Sequence, residues 1–285
     1  MQKLSRILVA IDRMENVAAI LDKAVSLARC FQARVEVMVC DARQATLVAS
    51  RCSELGYAEV DLFSAFRGED PLHELIMRRV SLTQPDMVIK DPAGAHPVRR
   101  WTLDQNDWQL ADTCPVPLVL MGARPWTQPV RFAAAVDVAD REAETVTRGI
   151  LQSAGMLAQG CRGHLDVIYS EREMHCHTLR MERAVKIAAL VREFHVGCER
   201  LQIFDGAPEK VMPRLLSARH YDVLVLGGVS HRSGLLASMN LLTSSLVEAA
   251  DADVVLVKAS ERVAQSRFAR PSSGKQRLDE AQQLA

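Results

Sequence analysis

The residues best suited to chemistry in this chain follow its second-to-last apolar run. Val223-Leu224-Val225-Leu226 opens into Gly227-Gly228-Val229-Ser230-His231-Arg232-Ser233-Gly234 and then, through Asn240, into an apolar segment. A buried strand that runs through a Gly/Ser-rich loop into a helix can offer backbone N–H groups and a helix N-terminus to phosphates. A plain connection has the same composition, and the loop alone leaves both readings open. His231-Arg232 fits either a phosphate contact or an exposed basic loop. His175-Cys176-His177 gathers metal-capable side chains, but at i and i+2 its histidines face different sides of a helix, and a solvated helix start is the simpler account. Cys30 and Cys40 read as core residues, and Trp101, Trp108 and Trp126 as packing at a junction. The chain contains no G-x4-G-K-[ST], G-x-S-x-G or H-E-x-x-H, so no catalytic residue is assigned.

The elements that position these residues occur twice. Arg6-Ile7-Leu8-Val9-Ala10-Ile11-Asp12 returns as Arg131-Phe132-Ala133-Ala134-Ala135-Val136-Asp137, an offset of 125. Asp86-Met87-Val88-Ile89 returns as Asp222-Val223-Leu224-Val225, and Pro117-Leu118-Val119-Leu120 as Asp253-Val254-Val255-Leu256, both at 136. A repeat this long is a duplicated domain, since solenoid units run to roughly 20–50 residues. In each half, five apolar runs of strand length alternate with segments of helical period. The pattern predicts an α/β fold of two tandem five-stranded open parallel sheets with helices on both faces. Predicted strands are Ile7–Ile11, Val35–Cys40, Val60–Ala65, Met87–Lys90 and Leu118–Met121, then Phe132–Val136, Leu165–Tyr169, Leu201–Phe204, Val223–Leu226 and Val254–Val257. The 11 extra residues of the second half are assigned to a longer second helix, Met174–Phe194. Two prolines in Ala123–Pro129 mark the boundary, giving domains over residues 1–124 and 125–259, with 260–285 as a disordered tail.

Composition narrows the function classes. Of 285 residues, 48% are apolar and 25% charged, as in globular proteins, and 35 basic residues balance 35 acidic ones. That balance gives no reason to expect nucleic acid or an acidic membrane as partner. Seven cysteines, with no C-x-x-C pair, disfavour a disulfide framework or zinc site and fit a cytoplasmic setting.

Two tandem halves, each opening with an apolar strand that ends in Asp, and the strand–loop–helix–strand ending resemble the universal stress proteins across residues 3–258. Thr102-Leu103-Asp104-Gln105-Asn106-Asp107-Trp108, Cys114-Pro115-Val116-Pro117 and Pro125-Trp126 are similar to the tandem type represented by universal stress protein E. The resemblance implies a fold shared with the adenine nucleotide alpha-hydrolases, and a ligand at G-x2-G-x9-G-[ST] in nucleotide-binding members. That pattern falls on Gly227, Ser230, Asn240 and Leu241 and keeps only its first glycine. Thr243 and Asp137 still match family ligand positions. Ser230 adds a side chain where backbone should approach phosphate, Leu241 lacks the hydroxyl, and Asn240 reads as an N-cap that occupies the N–H groups itself.

The corresponding first-half positions are Asp91, Gly94, Asp104 and Gln105, with Asp107 opposite Thr243. A carboxylate 4 Å from a phosphate charge costs on the order of 1–4 kcal/mol. Asp104 is expected to cap a helix, and the first half to supply its own anion. The resulting expectation is a non-enzymatic cytoplasmic stress-response protein with a degenerate nucleotide site, acting on a small molecule or an unidentified protein partner, as an intramolecular domain pair or a homodimer. An ATP switch in the second half is the alternative. An adenylyl-transferring enzyme is the third, and Asp12-Arg13-Met14 and Asp137-Val138-Ala139 lack the His-x-Gly-His or Ser-Gly-Gly-x-Asp-Ser signature of such enzymes.

Overall fold

Unbroken apolar runs predict strands covered on both faces, and β1 (Arg6–Ile11) buries every side chain from Ile7 to Ile11. The structure is a computed structural model and describes residues 4–13, 15–40, 42–64, 70–92, 103–139, 141–172, 176–228, 246–247 and 252–258. The first half continues with α1 (Val17–Phe31), β2 (Arg34–Val39), α2 (Ala42–Leu55), β3 (Val60–Ser64), α3 (Leu72–Thr83), β4 (Met87–Lys90), α4 (Gln105–Thr113) and β5 (Leu118–Leu120). The second comprises β6 (Arg131–Ala135), α5 (Arg141–Gly160), β7 (His164–Glu171), α6 (His177–Glu193), β8 (Arg200–Asp205), α7 (Pro208–Arg219), β9 (Val223–Gly227) and β10 (Asp253–Val257). All ten predicted strands are present. The tail from 260 lies outside the described residues.

Alternation along each strand divides the core into two layers. Ile7, Val9 and Ile11 point to the face packed by Ile20, Leu21 and Ala24 of α1, Val48 of α2, Leu151 and Ala154 of α5 and Ile187 of α6. Leu8 and Ala10 point to the other, packed by Leu72 and Ile76 of α3, Leu110 of α4, Met212 of α7 and Leu246. Helices thus cover both faces, as crossover connections between parallel strands require. Among the described residues, no helix is long and apolar enough to cross a membrane.

Each half is the parallel five-stranded sheet that the sequence predicts, but the two are not separate sheets. They join in one ten-stranded sheet of order β3-β2-β1-β4-β5-β10-β9-β6-β7-β8. Among the described residues the only antiparallel pairing is β5 with β10, where Val119 faces Val255. Those residues are 136 apart, the offset of the repeat, so a pseudo-twofold axis passes through that pair. Two short apolar edge strands would each expose unpaired N–H and C=O groups, and pairing them removes both edges.

Strand registers also locate the extra residues. Leu8, Glu36, Asp61 and Val88 occupy the places of Ala133, Asp166, Arg200 and Leu224, so the offset moves from 125 to 130, then 139, then back to 136. The second-helix region therefore takes most of the insertion but not all of it. Nine extra residues fall there and five between β6 and β7, where α5 has 20 residues against 15 in α1, while three are lost between β8 and β9.

Candidate functional site

In an open parallel sheet, ligands bind beyond the carboxyl ends of the strands where the strand order reverses. Such a point occurs in each half, between β1 and β4 and between β6 and β9. The two are built differently.

In the first half, β4 ends in Lys90 where β9 has Leu226. Lys90 is 1% exposed, donates to the Asp91 carbonyl at 2.7 Å, and lies 2.7 Å from Asp107 Oδ1. Asp107 is buried in the first turn of α4. The Asp107 N–H donates to Asp104 Oδ1 at 2.8 Å, and the Asp104 N–H donates to Asp107 Oδ2 at 3.1 Å, a reciprocal capping box. Asp104 is the expected N-cap. A protein carboxylate therefore stands at this helix N-terminus, where the macrodipole favours negative charge, with a buried ammonium beside it. The ends of β1 and β2 are tied together by Gln44, which accepts the Cys40 N–H and donates to the Asp12 carbonyl, both at 2.9 Å.

Asp91 occupies the place of Gly227. It is 1% exposed, and no hydrogen bond of good geometry reaches either of its carboxylate oxygens among the described residues. Burial pushes its carboxyl up to about 6, with a further rise from the Asp12 charge and against the pull of Lys90, Arg13 and the Asp12 backbone N–H. Gly94 lies outside the described residues, and Gln105 begins α4.

In the second half, the same place is a small cleft of about 90 Å³ that opens to solvent. Asp137 and Gly227 both line it, with Thr147, Ser170, Met212 and Leu226. Thr147 of α5, fully buried, accepts the Asp137 N–H at 2.9 Å and donates to the Asp137 carbonyl at 2.5 Å. The Asp137 carboxylate accepts the Ala139 N–H at 2.9 Å, which turns the chain at the mouth of the cleft. The other four candidates, Ser230, Asn240, Leu241 and Thr243, lie outside the described residues.

The linker supplies a contrast at the opposite end of the strands. Asp222 accepts from the Arg131 N–H at 2.8 Å and from the Thr127 N–H at 3.0 Å and hydroxyl at 2.5 Å. Its first-half counterpart, Asp86, likewise accepts the Arg6 N–H, at 3.0 Å. Trp126 donates its indole N–H to Asp253 at 2.7 Å, in keeping with a junction role, and Trp101 lies outside the described residues. His175 also lies outside, and among the described residues no three His, Cys, Asp or Glu side chains are placed to hold a metal ion. Cys40 is half-buried, whereas Cys30, expected in the core, is exposed, one residue from the end of α1. Lys90 was legible only in part, and Gln44 not at all. A lysine closing an apolar run where the repeat has leucine is a signal for Lys90, and Gln44 carries none.

No family model matches the chain. It is 22% identical over 199 residues to the universal stress protein E homolog of Haemophilus influenzae, covering 64% of each chain. It is also 22% identical over 208 residues to universal stress protein E of Salmonella typhi, covering 66% of this chain and 65% of that one. The matched stretch is thus under two thirds of the length of these relatives. A crystal structure of a candidate universal stress protein from Pseudomonas aeruginosa UCBPP-PA14 superimposes with a TM-score of 0.75 at 25% identity, covering 92% of this chain and 96% of that one. Together these likenesses support a universal stress protein at low sequence identity.

Proposed function

We propose that the chain is a stress-response protein that works by binding rather than by turnover, with a ligand site in its second half alone. The observation that carries this reading is the contrast between equivalent positions. Lys90, Asp107 and Asp104 fill the first-half position with the chain's own charges, whereas Asp137 and Gly227 border an open cleft in the second. The cleft wall is largely apolar, with Val136, Val146, Ile150, Met212 and Leu226, which suits a small, mostly apolar ligand held by few polar contacts. Three of the four motif positions in the second half depart from the phosphate-binding pattern, so the site is read as degenerate toward ATP.

Full-length protein, purified and heat-denatured, is expected to release no stoichiometric nucleotide, and calorimetry against ATP is expected to give a Kd of roughly millimolar or weaker. Ser230→Gly, Asn240→Gly and Leu241→Ser together should tighten binding at least about tenfold, about 1.4 kcal/mol. Stoichiometric ATP on the native protein would replace this reading with an ATP switch in the second half. Production of pyrophosphate from that ATP would replace it with adenylyl transfer.

A further inference from the structure

Two of the seven cysteines sit on helix ends that touch across the boundary between the halves. Cys30 is the penultimate residue of α1 and is exposed, while Cys161 directly follows α5 and is half-buried. The helix ends that carry them are in contact. The Phe31 ring lies over Gly160 so closely that a Cβ on Gly160 would stand 2.1 Å from the ring's Cζ atom, a spacing that a larger residue could not keep. Cys30 precedes Phe31 and Cys161 follows Gly160. Burial first, and then the charge and side-chain hydrogen bonding of Cys30, push the Cys161 thiol up. Burial is also the leading cause at Cys52, Cys114 and Cys198, but no second thiol contributes there.

We propose that Cys30 and Cys161 form a hydroperoxide-sensitive pair that closes into a disulfide and locks α1 of one half to α5 of the other. Exposure makes Cys30 the sulfur that a peroxide reaches first. Its thiolate attacks one peroxide oxygen and the O–O bond breaks. The other oxygen leaves, after protonation, as water or an alcohol, and Cys30 becomes a sulfenic acid. The Cys161 sulfur then attacks the Cys30 sulfur, the S–S bond forms, and the sulfenic hydroxyl leaves with the Cys161 proton as water. Two thiols lose two electrons in total, and the O–O bond takes them. The crosslink joins residues far apart in sequence and restrains the unfolded chain most strongly for that reason.

The test treats reduced full-length protein with hydrogen peroxide, counts free thiols and maps the tryptic peptides. The expected product is monomeric and has lost two of its seven thiols. It contains residues 30–34 joined to residues 149–162, and dithiothreitol reverses the link. Cys30→Ser and Cys161→Ser should each abolish that peptide. Cys176→Ser should leave it intact, although Cys176 is exposed and its thiol is lowered by the Thr178 hydroxyl and by N–H groups at the start of α6. Mapping of the wild-type chain decides the matter even if a variant fails to fold. Lost thiols that map to other pairs or between chains, or Cys30 driven to a sulfinic or sulfonic acid without the joined peptide, would overturn the proposal.

Discussion

Asp91 is a buried carboxylate held against its own solvation. Its folded pKa of about 6 stands above the ordinary 3.8 chiefly through burial. Below pH 3.8 the group is protonated in both folded and unfolded chains and is neutral to stability. As the pH rises toward 6, the unfolded chain ionises first and stability falls, and above 6 the penalty is constant at roughly 2–3 kcal/mol. Asp91→Asn removes the charge while keeping the shape. It is therefore expected to stabilise the protein by about that amount at pH 8 and by almost nothing near pH 3.5, as read from urea midpoints at the two pH values. Equal effects at both would show that the carboxylate is not desolvated.

At the scale of the element, α4 shows why one cap can matter more than another. Asp104 is exposed and supplies a single cap, and its replacement by alanine is expected to cost about 1 kcal/mol. Asp107 is buried opposite Lys90, so Asp107→Ala leaves an ammonium without its carboxylate and should cost about 3–5 kcal/mol. Denaturant midpoints of the two variants therefore test whether Lys90 and Asp107 form one charged unit. Equal losses would reduce Asp107 to a second cap. In the second half, Leu226 at the place of Lys90 removes any need for such a carboxylate, which is consistent with an open cleft there.

Across the whole molecule, the contacts that join the halves include the β5–β10 pair and the buried carboxylate of Asp253. Asp253 accepts from Lys23 of α1 at 2.6 Å, from the Gly122 N–H at 2.8 Å and from Trp126 at 2.7 Å. Burial pushes the Asp253 carboxyl up and the Lys23 ammonium down, while each partner opposes the shift of the other. Because three donors converge on Asp253, Asp253→Ala should cost about 3–5 kcal/mol and weaken the cooperativity between halves. Guanidinium unfolding followed by probes in each half should change from coincident to separate transitions. A single unshifted transition would mean that Asp253 is not what couples the halves.

The order of strands and helices, the duplicated architecture and the Asp104 cap were legible in the sequence. Burial periodicity and capping are local, and each leaves its mark within a few residues. Joining two apolar edge strands was not decided locally, because pairing within the chain and pairing with a second copy bury the same edges. Nor was the identity of the buried partners. Lys23 and Asp253 are 230 residues apart, and a contact over that separation has no periodicity or spacing to announce it. The sequence by itself determined which elements form and in what order. Only the tertiary structure decided that Asp107 faces Lys90, that Cys30 approaches Cys161 and that two sheets become one, because each depends on where distant elements pack.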